Sequence, residues 1–378
     1  SNTELGVLMS AFGVSAMILY FPGGWLADRY SPRKLITFSM ISTGLLGLYF
    51  ASFPSYMISI LVHVAWGASC TLTFWSAMIR STRHWATETE QGRAFGFLES
   101  GRGISELGAS TAFLAVFAWL GSGDGALSWV IILLSLTNLG LGLMAWLVLE
   151  DTVAQPVEII GTDSSQQVDF RTIVNVLKLP VVWLTAVVIL AAYSAYWGSF
   201  YFTPYATDVF LMSVVFGGAI GVGKMWLKPL AAVGAGFLGD KIGISRTIAW
   251  SFAVLIVSFS LFAFTPGNPG LVLILVVNTA VASTAVFALR GIYYALLEEG
   301  GIPGALTGTV AGFVSVIGFT PDVFMPIVGG VLLDRYPAGT GYRVLFGFIA
   351  VLCSAGLVAS LKILRLGKRP AIKQPSTR

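Results

Sequence analysis

Seven charged side chains sit inside apolar stretches of this chain: Glu99, Arg102, Glu106, Lys224, Lys228, Arg290 and Asp322. The chain carries 22 Lys and Arg and 18 Asp and Glu, so most of its charge lies elsewhere. In a membrane helix each buried charge costs roughly 2.5–3.5 kcal/mol at the centre. Such groups are expected to face a cavity or a partner rather than lipid. The seven comprise four bases and three acids, a net positive charge that suits an anion.

Arg102 is the first candidate for a binding residue. It lies nine residues past Arg93, about 14 Å deep at 1.5 Å per residue. Its planar fork of five donors matches a carboxylate, phosphate or sulfonate. The competing reading is a structural ion pair with Glu99 or Glu106, at i−3 and i+4 on the same helix face. Lys224 and Lys228 are one turn apart, and Lys228 lies about 18 Å from Asp240 by helix rise. Asp322, flanked by Pro321 and Pro326, is expected at similar depth, where prolines free backbone carbonyls toward a cavity. A Lys228–Asp322 pair is the neutral arrangement, either a static clamp or one broken in use; snorkelling of the lysines is the third reading. Arg290, eight residues before Glu298, reads as a gate or a helix-end pair. The aromatic run from Trp183 to Tyr205 offers Tyr193, Tyr196 and Trp197 as cavity lining, with an interfacial belt as the alternative and the better reading for Trp183, Phe202 and Tyr205. Trp75 is a lesser candidate.

The elements that must position these groups are apolar helices. Fifty-six percent of the residues are hydrophobic and 11% charged, against about 25% charged in a soluble domain. Eleven runs reach the roughly 20 residues needed to cross a bilayer: about 5–27, 34–53, 56–79, 93–120, 127–149, 180–206, 211–239, 246–265, 270–296, 304–332 and 342–364. The expected class is an all-α membrane protein. Gly304, Gly308 and Gly312 make one smooth helix face that reads as close packing. No removable signal is visible. Cys70 and Cys353 fall inside spans and imply neither a disulfide framework nor a metal site.

Basic residues collect in alternate loops. Arg29, Arg33, Lys34, Arg80, Arg83, Arg93, Arg171, Lys178, Lys241, Arg246 and the tail from Lys362 to Arg378 lie on one side; Arg335 and Arg343 are the exceptions. By the positive-inside rule that side, with the C-terminus, is cytoplasmic. The basic pI therefore does not signal nucleic acid. A polar stretch at 150–178 divides the chain into an N-terminal bundle (1–149) and a C-terminal bundle (179–365), followed by a basic tail (366–378). Asp169 to Leu177 reads as a short amphipathic surface helix.

An eleven-residue pattern occurs twice, at 24–34 and 236–246, with Gly24 and Gly236, Asp28 and Asp240, and Lys34 and Arg246 in register. A duplication 212 residues apart indicates two similar halves, the build of many membrane transporters. The second copy starts 57 residues past Leu179, the first only 23 past Ser1. That symmetry predicts one span missing at the N-terminus, by truncation in the first reading or by loss of the first helix in the second. Asp28 at a helix end can accept backbone N–H groups and offset a helix dipole, and Gly24 permits close approach.

The run Gly24-Trp25-Leu26-Ala27-Asp28-Arg29, closing on Arg33 and Lys34, resembles the signature loop of the major facilitator superfamily, with Ser31-Pro32 replacing its Gly-Arg. Gln91-Gly92-Arg93-Ala94-Phe95-Gly96, Leu289–Tyr294 and Ile317–Asp322 resemble the bacterial branch that holds sugar-phosphate, organophosphate and nitrate/nitrite-type permeases. The resemblance implies two six-helix bundles around a central cavity, alternating access, and a latch in which Gly24, Asp28, Arg29 and Arg33 act, with Asp240 and Lys241 as the counterpart. It places Arg102 near a central cavity position. Two departures stand out. Span 93–120 lacks the Gly-Pro motif of drug/proton antiporters, and His63 replaces an arginine tied to proton coupling in some relatives.

The expected function is secondary transport of a small organic anion, by exchange for a counter-anion or coupled to a proton or sodium. The expected setting is a multi-pass monomer in the bacterial inner membrane, its partners the solute and the lipid bilayer. A transporter-like sugar-phosphate sensor is the alternative, and a drug or cation exporter the third. No cofactor and no enzymatic chemistry are expected: no metal-ligand spacing or nucleophile arrangement stands out, and His63 and His84 are the only histidines.

Overall fold

A computed structural model describes residues 2–120, 124–151 and 170–366. All regular elements among them are helices. In chain order these are α1 (Asn2–Arg29), α2 (Pro32–Phe50), α3 (Tyr56–Trp85), α4 (Gln91–Trp119), α5 (Asp124–Val148), α6 (Phe170–Leu177), α7 (Pro180–Asp208), α8 (Val214–Ile242), α9 (Ile244–Phe264), α10 (Pro269–Glu299), α11 (Gly304–Arg335) and α12 (Gly339–Leu366). The eleven long helices coincide with the eleven apolar runs. Eight of them, among the described residues, are long and apolar enough to cross a membrane. The other three, α2, α4 and α8, span 19, 29 and 29 residues. They carry hydroxyl side chains (α2), four charges (α4) or the two lysines (α8). The chain is a multi-pass, all-helical membrane protein. The short α6 falls where an amphipathic helix was expected. Most of the linker (152–169) and of the basic tail (367–378) lies outside the described residues.

Local sequence sets the breaks. Proline at the first helical position starts α2 and α7, where its missing N–H costs nothing and its fixed φ helps. Ser213 caps α8 by accepting the Phe216 N–H at 3.2 Å. Gly243, at φ +103°, turns α8 into α9, a backbone region that disfavours other residues. Within α3 the Ser69–Trp75 stretch widens to a π-helical run. The Ser69 hydroxyl there lies 2.9–3.1 Å from those of Ser39, Ser42 and Thr43 on α2. Within α11 the helix stops at Gly318 and restarts at Pro321.

The helices pack as two compact units: residues 1–85, 105–177 and 303–316, and residues 86–104, 178–302 and 317–378. In the first, α2 packs along α5, and α1 along α3. Small residues allow the approach: Gly44 faces Ser135 and Leu139. In the second, α9 and α7 both pack on α12, and α8 on α10. Its core is a set of interlocking rings, Phe202, Tyr205, Phe259, Phe262 and Phe346, with centroids 4.7–6.3 Å apart. Such pairs add about 0.5–1.5 kcal/mol each beyond area burial. Tyr205 is therefore a core residue whose hydroxyl donates to the Phe262 carbonyl at 2.8 Å, not part of an interfacial belt. Arg343, an exception to the loop charge pattern, donates to the Ala263 carbonyl near the C-terminus of α9 at 3.1 Å, a favourable place for a cation. Large side chains such as Leu230, Trp226, Trp250 and Phe264 remain exposed, as a lipid-facing surface requires.

Candidate functional site

The charged residues of α4, α8 and α10 converge on one carboxylate within the second unit. Glu99 is buried, 3% exposed. Its Oε2 accepts from Arg102 Nη1 at 2.7 Å. Its Oε1 accepts from Arg290 Nε at 3.2 Å and lies 3.5 Å from Lys228 Nζ. Three cations thus surround one anion. The i, i+3 pair on α4 realises the structural partner foreseen for Arg102. Arg102 nonetheless keeps more than a third of its side chain accessible, whereas Lys228 and Arg290 are nearly covered. Burying so many like charges is tolerable only when each is paired and hydrogen-bonded.

Arg290, read from the sequence as a gate or a helix-end pair, lies in the last turn of the regular helix Val272–Ile292, paired with Glu99 and set against the aromatic residues of α7. Its guanidinium carbon lies 4.0 Å from the Tyr196 ring centroid and 5.5 Å from that of Tyr193, a cation–π arrangement strengthened by burial. Its Nη1 is buried with no hydrogen-bond acceptor among the described residues. Tyr193 packs on Phe319 at 4.8 Å. Trp197 donates its indole N–H to Asp322 Oδ1 at 2.9 Å. Asp322 lies in the first turn after the break in α11, where the helix N-terminus favours an acid.

Lys228 and Asp322 accordingly have different partners, Glu99 and Trp197, in place of the Lys228–Asp322 pair foreseen. Lys224 lies apart from the Glu99 group. Its ammonium donates to the Ser199 carbonyl at 2.6 Å and reaches the Ser199 hydroxyl at 3.3 Å, over the Phe200 ring. Glu106, one further turn and more along α4, is exposed. Trp75 donates to Ser315 Oγ at 3.3 Å in the first unit. Sequence reasoning missed Gly103. A Cβ there would come within 3.1 Å of the Lys228 side chain, so glycine leaves the room that lets Lys228 cross α4. The repeated small residue beside Arg102 was the available signal.

The repeated motif makes two matching contacts, one in each unit. In the first, Asp28 Oδ1 accepts the Gly308 N–H at 2.7 Å and Oδ2 the Thr309 N–H at 2.6 Å. In the second, Asp240 Oδ1 accepts the Gly92 N–H at 2.7 Å and Oδ2 the Arg93 N–H at 3.0 Å and Arg93 Nε at 2.8 Å. Each aspartate therefore caps a helix start 148 or 280 residues away, where unpaired N–H groups and the dipole favour an anion. Four residues before each aspartate a glycine, Gly24 or Gly236, packs on the capped glycine, Gly308 or Gly92. Gly312 also faces Gly24, so the small-residue stripe is a packing face. Arg29 stacks on Trp25 of its own helix at 4.0 Å, and Arg33 on Trp146 at 4.3 Å. Lys241 is exposed. The cation that ties down the end of α1 is instead Arg80, only 3% exposed, which donates to the Ala27 carbonyl. Beside it Arg83 donates to Thr307 Oγ1 at 2.7 Å. The sequence offered these two arginines only as loop charges.

This helical membrane architecture with duplicated aspartate caps is matched by the family model of the Major Facilitator Superfamily over residues 1–319. The chain belongs to that superfamily and is one of its transporters. It is similar to two proteins of Escherichia coli strain K12: inner membrane protein YqcE, 31% identical over 91% of this chain and 81% of that one, and inner membrane protein YihN, 29% identical over 97% and 87%. It is also similar to the hexuronate transporter of Bacillus subtilis strain 168, 25% identical over the whole of this chain and 88% of that one. Among solved structures, the fold matches the E. coli fucose:proton symporter with a TM-score of 0.77 at 13% identity, over 96% of this chain and 91% of that one. It matches a bacterial homologue of the iron transporter ferroportin in an outward-facing state with a TM-score of 0.73 at 13% identity, over 97% and 91%.

Proposed function

We propose that the chain is a secondary active transporter that carries a small organic anion by alternating access, with Arg102, Arg290 and Lys228 as the anion-binding groups and Glu99 as their resident counter-charge. The observation that carries this reading is the ring of three cations on one buried carboxylate. A cation substrate would meet a positive field there. An incoming carboxylate or phosphate finds a partly accessible guanidinium at Arg102 and a donor at Arg290 Nη1 that lacks an acceptor. Tyr193, Tyr196 and Trp197 supply the adjoining aromatic side chains, with Asp322 held by the Trp197 indole. The likeness to a hexuronate transporter supports an organic acid as cargo.

In this reading Asp28 and Asp240, each seated on a helix start, are the gate. Residues 1–149 and 179–365 form the two moving bundles, joined by 150–178, with the basic tail in the cytoplasm. The relatives named as inner membrane proteins support that membrane as the location. The test is a thermal-shift screen of the purified protein against carboxylated, phosphorylated and sulfonated metabolites, hexuronates included, followed by uptake of each hit into proteoliposomes. Stabilisation and saturable uptake of an anion are expected. Stabilisation by organic cations alone would overturn the reading, and tight anion binding without flux would turn it into the sensor.

A further inference from the structure

The π-helical run of α3, Ser69–Trp75, belongs neither to the Glu99 group nor to the aspartate caps. Such runs are rare and collect at functional positions. Here side chains and a neighbouring helix hold the widened backbone in place. The Gly67 carbonyl accepts the Thr71 hydroxyl. The Ser69 carbonyl accepts the hydroxyls of Thr73 and, from α2, Ser39, each at 2.9 Å. Gly23 of α1 makes the room: a Cβ there would strike the Thr71 carbonyl and lie 2.9 Å from the Leu72 Cα and carbonyl oxygen. One group is left over. Ser76, the residue after the run, is 1% exposed, and its hydroxyl has no hydrogen-bond partner among the described residues. Helical hydroxyls commonly bond back to the carbonyl four residues earlier, as those of Thr71 and Thr73 do. For Ser76 that carbonyl is Leu72's, which lies against Gly23 instead. A buried hydroxyl without a partner calls for an explanation.

The run joins two sets of contacts. Its last residue, Trp75, donates to Ser315 Oγ and meets the Tyr20 ring edge-on. Beyond it, Arg80 donates to the Ala27 carbonyl, next to Asp28, and Arg83 to Thr307 Oγ1. We propose that the run is a register switch. Its return to α geometry turns Ser76–Trp85 about the α3 axis by one residue step, about 100°. That turn bonds the Ser76 hydroxyl to the Leu72 carbonyl and withdraws Arg80 and Arg83 from α1 and α11. The arm that turns is the short one, because Tyr56–Ala68 is packed along α1. Losing both arginines frees the end of α1 that carries Asp28, so the consequence for transport rests on the reading of that end as a gate. Every group in the switch belongs to the first unit.

The test is a spin-label distance within that unit. Labels are placed at Trp85→Cys and Leu147→Cys, two exposed positions, in the full-length chain in nanodiscs with Cys70 and Cys353 replaced by alanine. Turning a helix of 5–6 Å radius by 100° moves a surface position by about 8 Å. Two distance populations are therefore expected in the parent, separated by up to that amount. Thr71→Val keeps the side-chain shape and removes a hydroxyl that holds the π form; Gly23→Ala crowds the widened backbone. Each should raise the turned population roughly threefold or more, the worth of one hydrogen bond. Ser76→Ala removes the bond gained on turning and should lower the same population. A single distance in the parent and all three variants overturns the proposal. So does a shift by Ser76→Ala in the same direction as Thr71→Val, since a merely loosened helix would respond alike to both. The distances are read without transport, so their failure is separate from that of the gate, which is read by the turnover of Asp28→Asn.

Discussion

At the scale of single residues, Glu99 is the one carboxylate on which three cations converge. Removing one partner of a buried, hydrogen-bonded ion pair costs about 3–5 kcal/mol, because the remaining charge is left uncompensated. Glu99→Ala leaves Arg102, Arg290 and Lys228 facing one another. The variant is expected to melt several degrees below the parent in nanodiscs. An organic dianion should recover part of that loss and stabilise the parent less. Identical melting curves with and without the anion would show that the three cations do not share one carboxylate in solution. Arg102→Ala has a different signature. Its guanidinium is partly accessible, so the variant is expected to fold normally and lose transport of the substrate; unchanged uptake in proteoliposomes would remove Arg102 from the site.

At the scale of elements, the proposed gate rests on helix ends. Each motif aspartate takes two backbone N–H groups at a helix start, and asparagine can accept with only one oxygen. Asp28→Asn should therefore lose one bond of roughly 1 kcal/mol and slow turnover several-fold, with substrate affinity nearly unchanged. The measurement is uptake kinetics resolved into kcat and KM; normal turnover with a large loss of affinity would contradict a gate. The same element shows what spacing can reveal. Aspartate in register at 28 and 240 marked both caps, and helix periodicity put Glu99 beside Arg102. Neither pattern identified Arg80 or Arg83, because a basic residue at the end of α3 reads as a loop charge until the fold turns it back on the Ala27 carbonyl and Thr307.

At the scale of the whole molecule, the arrangement of basic loops fixes an expected orientation. In a background with Cys70 and Cys353 replaced by serine, Arg246→Cys is expected to react with a membrane-impermeant maleimide only after the cytoplasmic face is opened. Asn268→Cys should react in intact cells. The reverse pattern would invert the topology and place both aspartate caps outside.

Hydrophobic length, charge asymmetry and the duplicated motif were sufficient for the class of fold and the count of long helices, because bilayer thickness imposes them on any chain locally. The seven intramembrane charges were equally plain, since an apolar background makes each conspicuous. Their pairing was not. Which cation meets which carboxylate depends on how α4, α7, α8, α10 and α11 rotate and cross. That is why the partner of Arg290 is Glu99, and why Lys228 and Asp322 have separate partners. Side-chain partners 125 to 191 residues apart are set by packing in three dimensions, and no periodicity along one strand of sequence encodes it.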